Sequence, residues 1–384
     1  MVPDISQLRE LAVQSLRRMY RPEQGIYAFR LRRADGRDVL EGESVRYTGM
    51  ALLGLLNEPE DTLAEALHEQ PYEDVADGLV ARLPNITNLG DVAVIWWVCR
   101  AAGLDDQADA ARARLMQLDP LANEHPTVER AWVLSACAAG DEADCDLGPL
   151  VVNNLLAAQN ANCGVYAHQD PAAKVSRIRR HVACFADLVY PTMALADWGA
   201  TVGDTKALNA ARLTADYMAA TQGAEGQWWW HFDQRTGKIV EGYPVYSVHQ
   251  DSMAPMALFA AAEACGTNYD NAIRAGLSWM FNAPEIGGSL VDTRAKIIWR
   301  KVCRREPNKF TRLAQASMSS ISASWRVPGL NLLFPPRAID AESRPYHMGW
   351  ILYAWRDDRC TRFGEQFGGT KHDTHKDLAD AAVV

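Results

Sequence analysis

The chain has 384 residues, is 48% apolar and 23% charged, and carries a net charge of −9. That apolar share suffices for a large core, while the acidic balance speaks against general nucleic-acid binding, which needs a basic one. No basic stretch followed by an apolar run opens the sequence, so no signal peptide is expected and a cytoplasmic location is. Residues 6–20 then place Leu8, Leu11, Val13, Leu16 and Met19 mostly three and four apart, which predicts an amphipathic helix. Residues 43–56 are apolar nearly all round, which predicts a buried helix.

This alternation repeats along the chain. Amphipathic stretches follow at 72–82, 105–116, 147–159, 205–221 and 269–281. Fully apolar ones follow at 88–99, 127–137, 185–196, 247–258 and 344–353. Six of each kind predict an all-α fold, an (α/α)6 barrel in which outer helices shield an inner ring. Glycine-aromatic segments at 25–29, 164–168 and 226–232 read as short hairpins, each ahead of an inner helix. Residues 282–341 form a long insertion before the last inner helix, and loops of that length are functional or disordered. The tail at 357–384, with Gly364, Gly368, Gly369 and scattered charge, reads as poorly ordered. No linker divides the rest, so residues 1–356 are expected to be one domain.

Six hairpins with glycine-aromatic loops resemble the six-hairpin glycosidase-like superfamily. That resemblance implies a carbohydrate-active enzyme with its pocket at one end of the inner ring. Similar double rings in terpene cyclases, prenyltransferases and lanthionine synthetases carry a D-x-D-D motif or a cysteine-histidine zinc set, and neither is present. The eight cysteines include no C-x-x-C pair, so they read as reduced thiols, and no metal or cofactor is expected.

Polar residues leading into the inner helices are the site candidates. Residues 228–251 pack Trp228, Trp229, Trp230, His231, Tyr243, Tyr246, His249, Gln250 and Asp251 into one stretch. Aromatic faces stack on sugar rings, while imidazoles and carboxylates transfer protons. The segment around Asp251 is similar to the aspartate-bearing inner helix of unsaturated uronyl hydrolases. The resemblance implies a glycoside hydrolase-like reaction with Asp251 as the proton donor. Asp187 or Asp91 would be the second carboxylate, with Glu43 a further candidate, and hydrolysis needs two about 5 to 9 Å apart.

Pro345-Tyr346-His347-Met348-Gly349 is similar to a stretch of cellobiose 2-epimerase-like proteins. It implies an alternative, a sugar epimerase or isomerase exchanging a proton through His249 and His347. A lyase reading would use Tyr246 or Tyr346 with a histidine, and Arg46 or Arg344 to neutralise a uronate. A non-catalytic saccharide-binding or scaffold protein is the remaining alternative. Tyr47 and Tyr190 complete the expected sugar contacts.

Two basic loops suggest an anionic saccharide as partner. One holds Lys174, Arg177, Arg179, Arg180 and His181; the other holds Arg294, Lys296, Arg300, Lys301, Arg304, Arg305, Lys309 and Arg312. Ile297, Ile298, Trp299 and Val302 lie among the latter, so the insertion also fits a peripheral contact with an acidic membrane or a lipid-linked glycan.

Overall fold

The structure is a computed structural model that describes residues 5–170, 173, 178–306 and 309–368. In chain order the first helices are α1 (Ile5–Met19), α2 (Val45–Leu55), α3 (Glu60–Leu67), α4 (Tyr72–Val80), α5 (Leu89–Ala101), α6 (Asp105–Gln117), α7 (Thr127–Ala138) and α8 (Gly148–Ala158). Then come α9 (Ala186–Val202), α10 (Thr205–Ala220), α11 (Ala254–Cys265), α12 (Asp270–Phe281), α13 (Phe310–Ile321), α14 (Leu330–Leu333), α15 (Pro345–Ala354) and α16 (Asp357–Gly368). Helices α2, α5, α7, α9, α11 and α15 each touch the next, and α15 returns to touch α2, so the inner ring closes. All twelve helices expected from the two alternating patterns are present. The fold is the expected (α/α)6 barrel.

Side-chain composition explains the two rings. Every residue from Val92 to Cys99 on α5 is buried, as is every residue from Met253 to Ala261 leading into and along α11. By contrast α6 buries only Ala108, Ala111 and Leu115, spaced three and four apart. Two inner helices, α2 and α5, begin at side-chain caps: Ser44 accepts from Tyr47 N at 3.2 Å, and Asn88 from Asp91 N at 3.0 Å. Where the ring closes, two helices meet backbone to backbone. A Cβ on Gly54 would lie 2.0 Å from the Gly349 carbonyl oxygen, and one on Gly349 would lie 2.4 Å from that of Met50.

Three small sheets collar the end where the inner helices start. Arg30–Ala34 pairs with Arg37–Glu41 and with Glu342–Ser343. His231–Asp233 pairs with Val182–Cys184 and with Ile239–Glu241. Lys301–Cys303 pairs with Val245–Tyr246 and with Ala338–Asp340. Of the expected hairpins, only Tyr20–Arg21 with Ile26–Tyr27 is self-contained. The segment at 164–168 makes a single bridge, Gln159 to Tyr166, and the one at 226–232 pairs with distant strands.

Three sequence expectations need revision. The insertion is folded, with two helices and strands joined to the collar. Its Ile297, Ile298, Trp299 and Val302 are buried in the core rather than turned toward a membrane. The exposed apolar side chains of the insertion are others, Leu332, Leu333 and Ile321 among them. The supposed tail begins with helix α16, fastened by Arg359 donating to both Glu263 oxygens at 2.9 and 2.7 Å. Residues 369–384 lie outside the described residues, as do Lys174 and Arg177 of the first basic loop. Among the described residues, no helix is long and apolar enough to cross a membrane.

Candidate active site

A cavity of about 250 Å³ opens where the inner helices start. Tyr47, Trp132, Tyr190, Trp230, Tyr246 and Tyr346 wall it, with Arg46, Arg300 and His249 between them. Four of the six inner helices, α2, α7, α9 and α15, contribute through their first two turns, and the residues leading into α11 supply Trp230, Tyr246, His249 and Met253. Arg300 comes from the insertion, held at the mouth because Ser247 Oγ donates to the Trp299 and Arg300 carbonyls, each at 2.8 Å. Among the described residues no carboxylate lines this cavity.

Guanidinium groups gather at the mouth around carboxylates set behind it. Glu342, 2% exposed, is held by Arg30, Arg300 and Arg344, so one buried carboxylate organises three guanidinium groups. Burial alone would raise its pKa, but Arg300 and Arg344 hold it below the ordinary carboxylate value. Arg344 reaches the Tyr47 hydroxyl at 2.9 Å and lies over the Phe29 ring. Arg46 Nε donates to Asp91 at 2.6 Å while its guanidinium lies 4.9 Å from the Trp132 ring centre. Arg300 stacks 5.1 Å from Tyr246, and Arg312 lies 4.9 Å from Trp230.

His249 begins a π-helical turn, His249–Met253, that leads into α11. Such a turn inserts a residue and re-aims the side chains around it. The His249 ring packs 4.5 Å from Phe185 and 5.0 Å from Tyr246, and its Nδ1 has no hydrogen-bond partner. Burial, reinforced by the nearby His347 ring, pushes its pKa down to about 3, so it is a neutral base at ordinary pH.

Asp251 is placed differently. Its carboxylate is fully buried and takes both its contacts, at 2.8 Å, from His347 Nε2. Pro255, four residues on, has no N–H to give the Asp251 carbonyl; the Trp355 indole fills that position at 2.5 Å. Asp187 on α9 repeats the pattern, with Pro191 four residues on. It is fully buried, accepts from His168 Nδ1 at 3.0 Å and from Cys184 N at 2.7 Å. The Asp187 charge pushes the His168 pKa up to about 11.

The tryptophan run disperses. Trp228 is core, its indole donating to the Met218 carbonyl at 3.2 Å. Trp229 lines a separate outer cavity with Tyr243 and Glu241, and the Tyr243 hydroxyl donates to Glu285 at 2.6 Å. Only Trp230 faces the mouth, stacked on His231. His231 is buried, and burial pushes its pKa well below normal. Gln250 is a strut between Trp228 N and the Tyr246 carbonyl, each at 3.1 Å. Glu43 stays exposed at the rim near Arg21. Sequence reasoning missed Trp132, one turn into α7, and His168, whose partner lies 19 residues away.

No family profile and no curated protein matches the chain. Solved structures do. An unsaturated glucuronyl hydrolase mutant from Streptococcus agalactiae, complexed with dGlcA-GalNAc6S, is 10% identical with a TM-score of 0.50; 92% of each chain is covered. The chain thus shares the (α/α)6 barrel fold of that enzyme. An α-1,6-mannanase of Salegentibacter, complexed with α-1,6-mannotetrose, is 11% identical with a TM-score of 0.43, covering 92% of this chain and 98% of that one. A protein from Actinoplanes is 15% identical with a TM-score of 0.47, covering 91% and 98%. At these identities the likeness describes architecture, and the chemistry has to be argued from the site residues.

Proposed function

We propose that the protein is a carbohydrate-active enzyme that holds an anionic saccharide in the barrel mouth and moves a proton on it through His249. One observation carries this reading: the cavity is lined by the His249 imidazole, whose buried Nδ1 lacks a hydrogen-bond partner, and not by the carboxylates of Asp251 or Asp187. Six aromatic faces suit sugar rings, and Arg300 and Arg46 suit the negative charge. A histidine beside guanidinium groups fits removal of a proton from a carbon next to a carbonyl or carboxylate, the chemistry of an epimerase, isomerase or lyase, provided that the negative charge of the bound saccharide raises its depressed pKa toward neutrality. His347, held by Asp251, stands behind His249 as its electrostatic neighbour.

The test is incubation with neutral and anionic oligosaccharides and sugar phosphates in D₂O, read by mass spectrometry. An uncleaved sugar that gains carbon-bound deuterium, or a cleaved one carrying an unsaturated uronate, is the expected result. His249→Asn should then lower turnover by about 10²-fold or more with binding retained, and near-normal turnover in that variant would remove His249 from the mechanism.

Glycoside hydrolysis is the second reading. Its specific support is Asp91, whose partly exposed carboxylate sits beside Arg46. Cleavage with addition of water in the same incubation would favour it. Asp91→Asn should then abolish activity, while Asp251→Asn would act through His347. Saccharide affinity without any reaction would mean a binding protein.

A further inference from the structure

Cys184, His168 and Asp187 come together from three separate anchor points beside the mouth. Cys184 ends the strand Val182–Cys184, Asp187 lies in the first turn of α9, and His168 sits in the loop before them. Thr127 N donates to the His168 carbonyl at 3.0 Å, which ties that loop to the start of α7. Cys184 N donates to Asp187 at 2.7 Å, which fixes the thiol-bearing residue to the carboxylate. The His168 nitrogen, the Cys184 sulfur and an Asp187 oxygen all lie within 4.8 Å of one another. Ala186 and Val128, next in sequence to these anchors, both line the mouth.

Two further observations point to a ligand. Asp187 is fully buried, yet among the described residues no lysine or arginine pairs with it; its partner is an imidazole. A buried carboxylate needs a compensating cation, and a divalent ion meets that need as well as a protonated histidine does. In addition, His231 is directly opposite Cys184 in the strand ladder, so its side chain leaves the same face of the sheet, and it too is buried. The set therefore has nitrogen, sulfur and oxygen donors with a second imidazole adjacent.

We propose that His168 Nδ1, Cys184 Sγ and an Asp187 carboxylate oxygen bind a divalent cation of the zinc class at the rim of the mouth. Sulfur excludes magnesium and calcium, and mixed nitrogen, sulfur and oxygen donors suit zinc. Tetrahedral zinc separates its ligand atoms by about 3.5 Å, from bonds of roughly 2.0 to 2.3 Å, so modest side-chain rotation closes the site. Three protein ligands leave one position open. The His168 side chain is 44% exposed, so that position is reachable by water or by an oxygen of a bound molecule.

The experiment is cobalt(II) titration of the full chain, purified with a chelator and kept reduced. One ion per chain should bind, with the intense near-ultraviolet absorption of a thiolate–cobalt bond, and zinc should displace it. Cys184→Ser should lose that absorption, and both Cys184→Ser and His168→Ala should weaken binding at least tenfold. Cys163→Ser should behave as the parent chain. Far-ultraviolet dichroism checks that each variant is folded, and His168→Ala, at an exposed ring, carries the test should Cys184→Ser fail. Absence of saturable binding, or cobalt bound equally tightly by Cys184→Ser or by His168→Ala, would overturn the proposal.

Discussion

A histidine held neutral in the folded chain makes stability depend on acid. Unfolded, His249 takes a proton near its ordinary pKa of about 6.5; folded, burial delays that to about 3. The folded pKa is the lower one, so this contribution is complete above about 6.5 and is lost as pH falls toward 3. One proton implies a slope of about 1.4 kcal/mol per pH unit in that window. His249→Phe, between Phe185 and Tyr246, should keep the packing and lower the slope by one proton's share, leaving that of His231, which burial also holds neutral. Denaturant titrations at pH 7, 6 and 5 would read it, and parallel losses for both chains would mean that His249 is not held neutral. The same shift means that a fall in kcat/KM between pH 7 and 5, which reports the free enzyme, should not come from His249.

At the scale of elements, the tightest fit is between α2 and α15. Gly54→Ala or Gly349→Ala would drive a methyl group into the partner backbone, a loss of about 1 to 3 kcal/mol. Gly288, whose Cβ position meets only the Ile286 carbonyl oxygen at an ordinary 3.9 Å, is the control and should be nearly neutral to Ala. Denaturant midpoints decide the comparison, and because α15 begins with Tyr346 and His347, Gly349→Ala should also lower activity. The helices were legible because their burial is written in local spacing. The collar was not, because its pairings are long-range: Lys301–Cys303 joins Val245–Tyr246 more than fifty residues earlier, and that ladder is what brings Arg300 to the mouth. The run Trp228 to Trp230 was legible as aromatic but not as three destinations. Residues 228–230 precede the strand that begins at His231 and belong to no regular element, so no period sorts their side chains. Asp251 likewise reads as a pocket acid until the neighbouring helix supplies His347.

For the whole molecule, the contiguous core decides how the chain unfolds. One cluster of buried side chains runs from Leu8 on α1 through all six inner helices to Phe363 on α16. The last helix belongs to it: Phe363 packs 5.1 Å from Trp355 and 6.3 Å from Phe259, ring centre to ring centre. The insertion belongs to it as well, through Ile297, Ile298 and Val302. A ring closed by contact between its first and last members has no free end from which to fray, so loss of one wall should release the others. Unfolding followed by far-ultraviolet dichroism, tryptophan fluorescence and calorimetry should therefore give coincident transitions. Phe363→Ala should move that single transition down by about 3 to 5 kcal/mol, not create an early partial one. A separate phase for the insertion would mean that the one-domain reading of residues 1–356 is wrong, whereas one for α16 alone would put the domain boundary at 356.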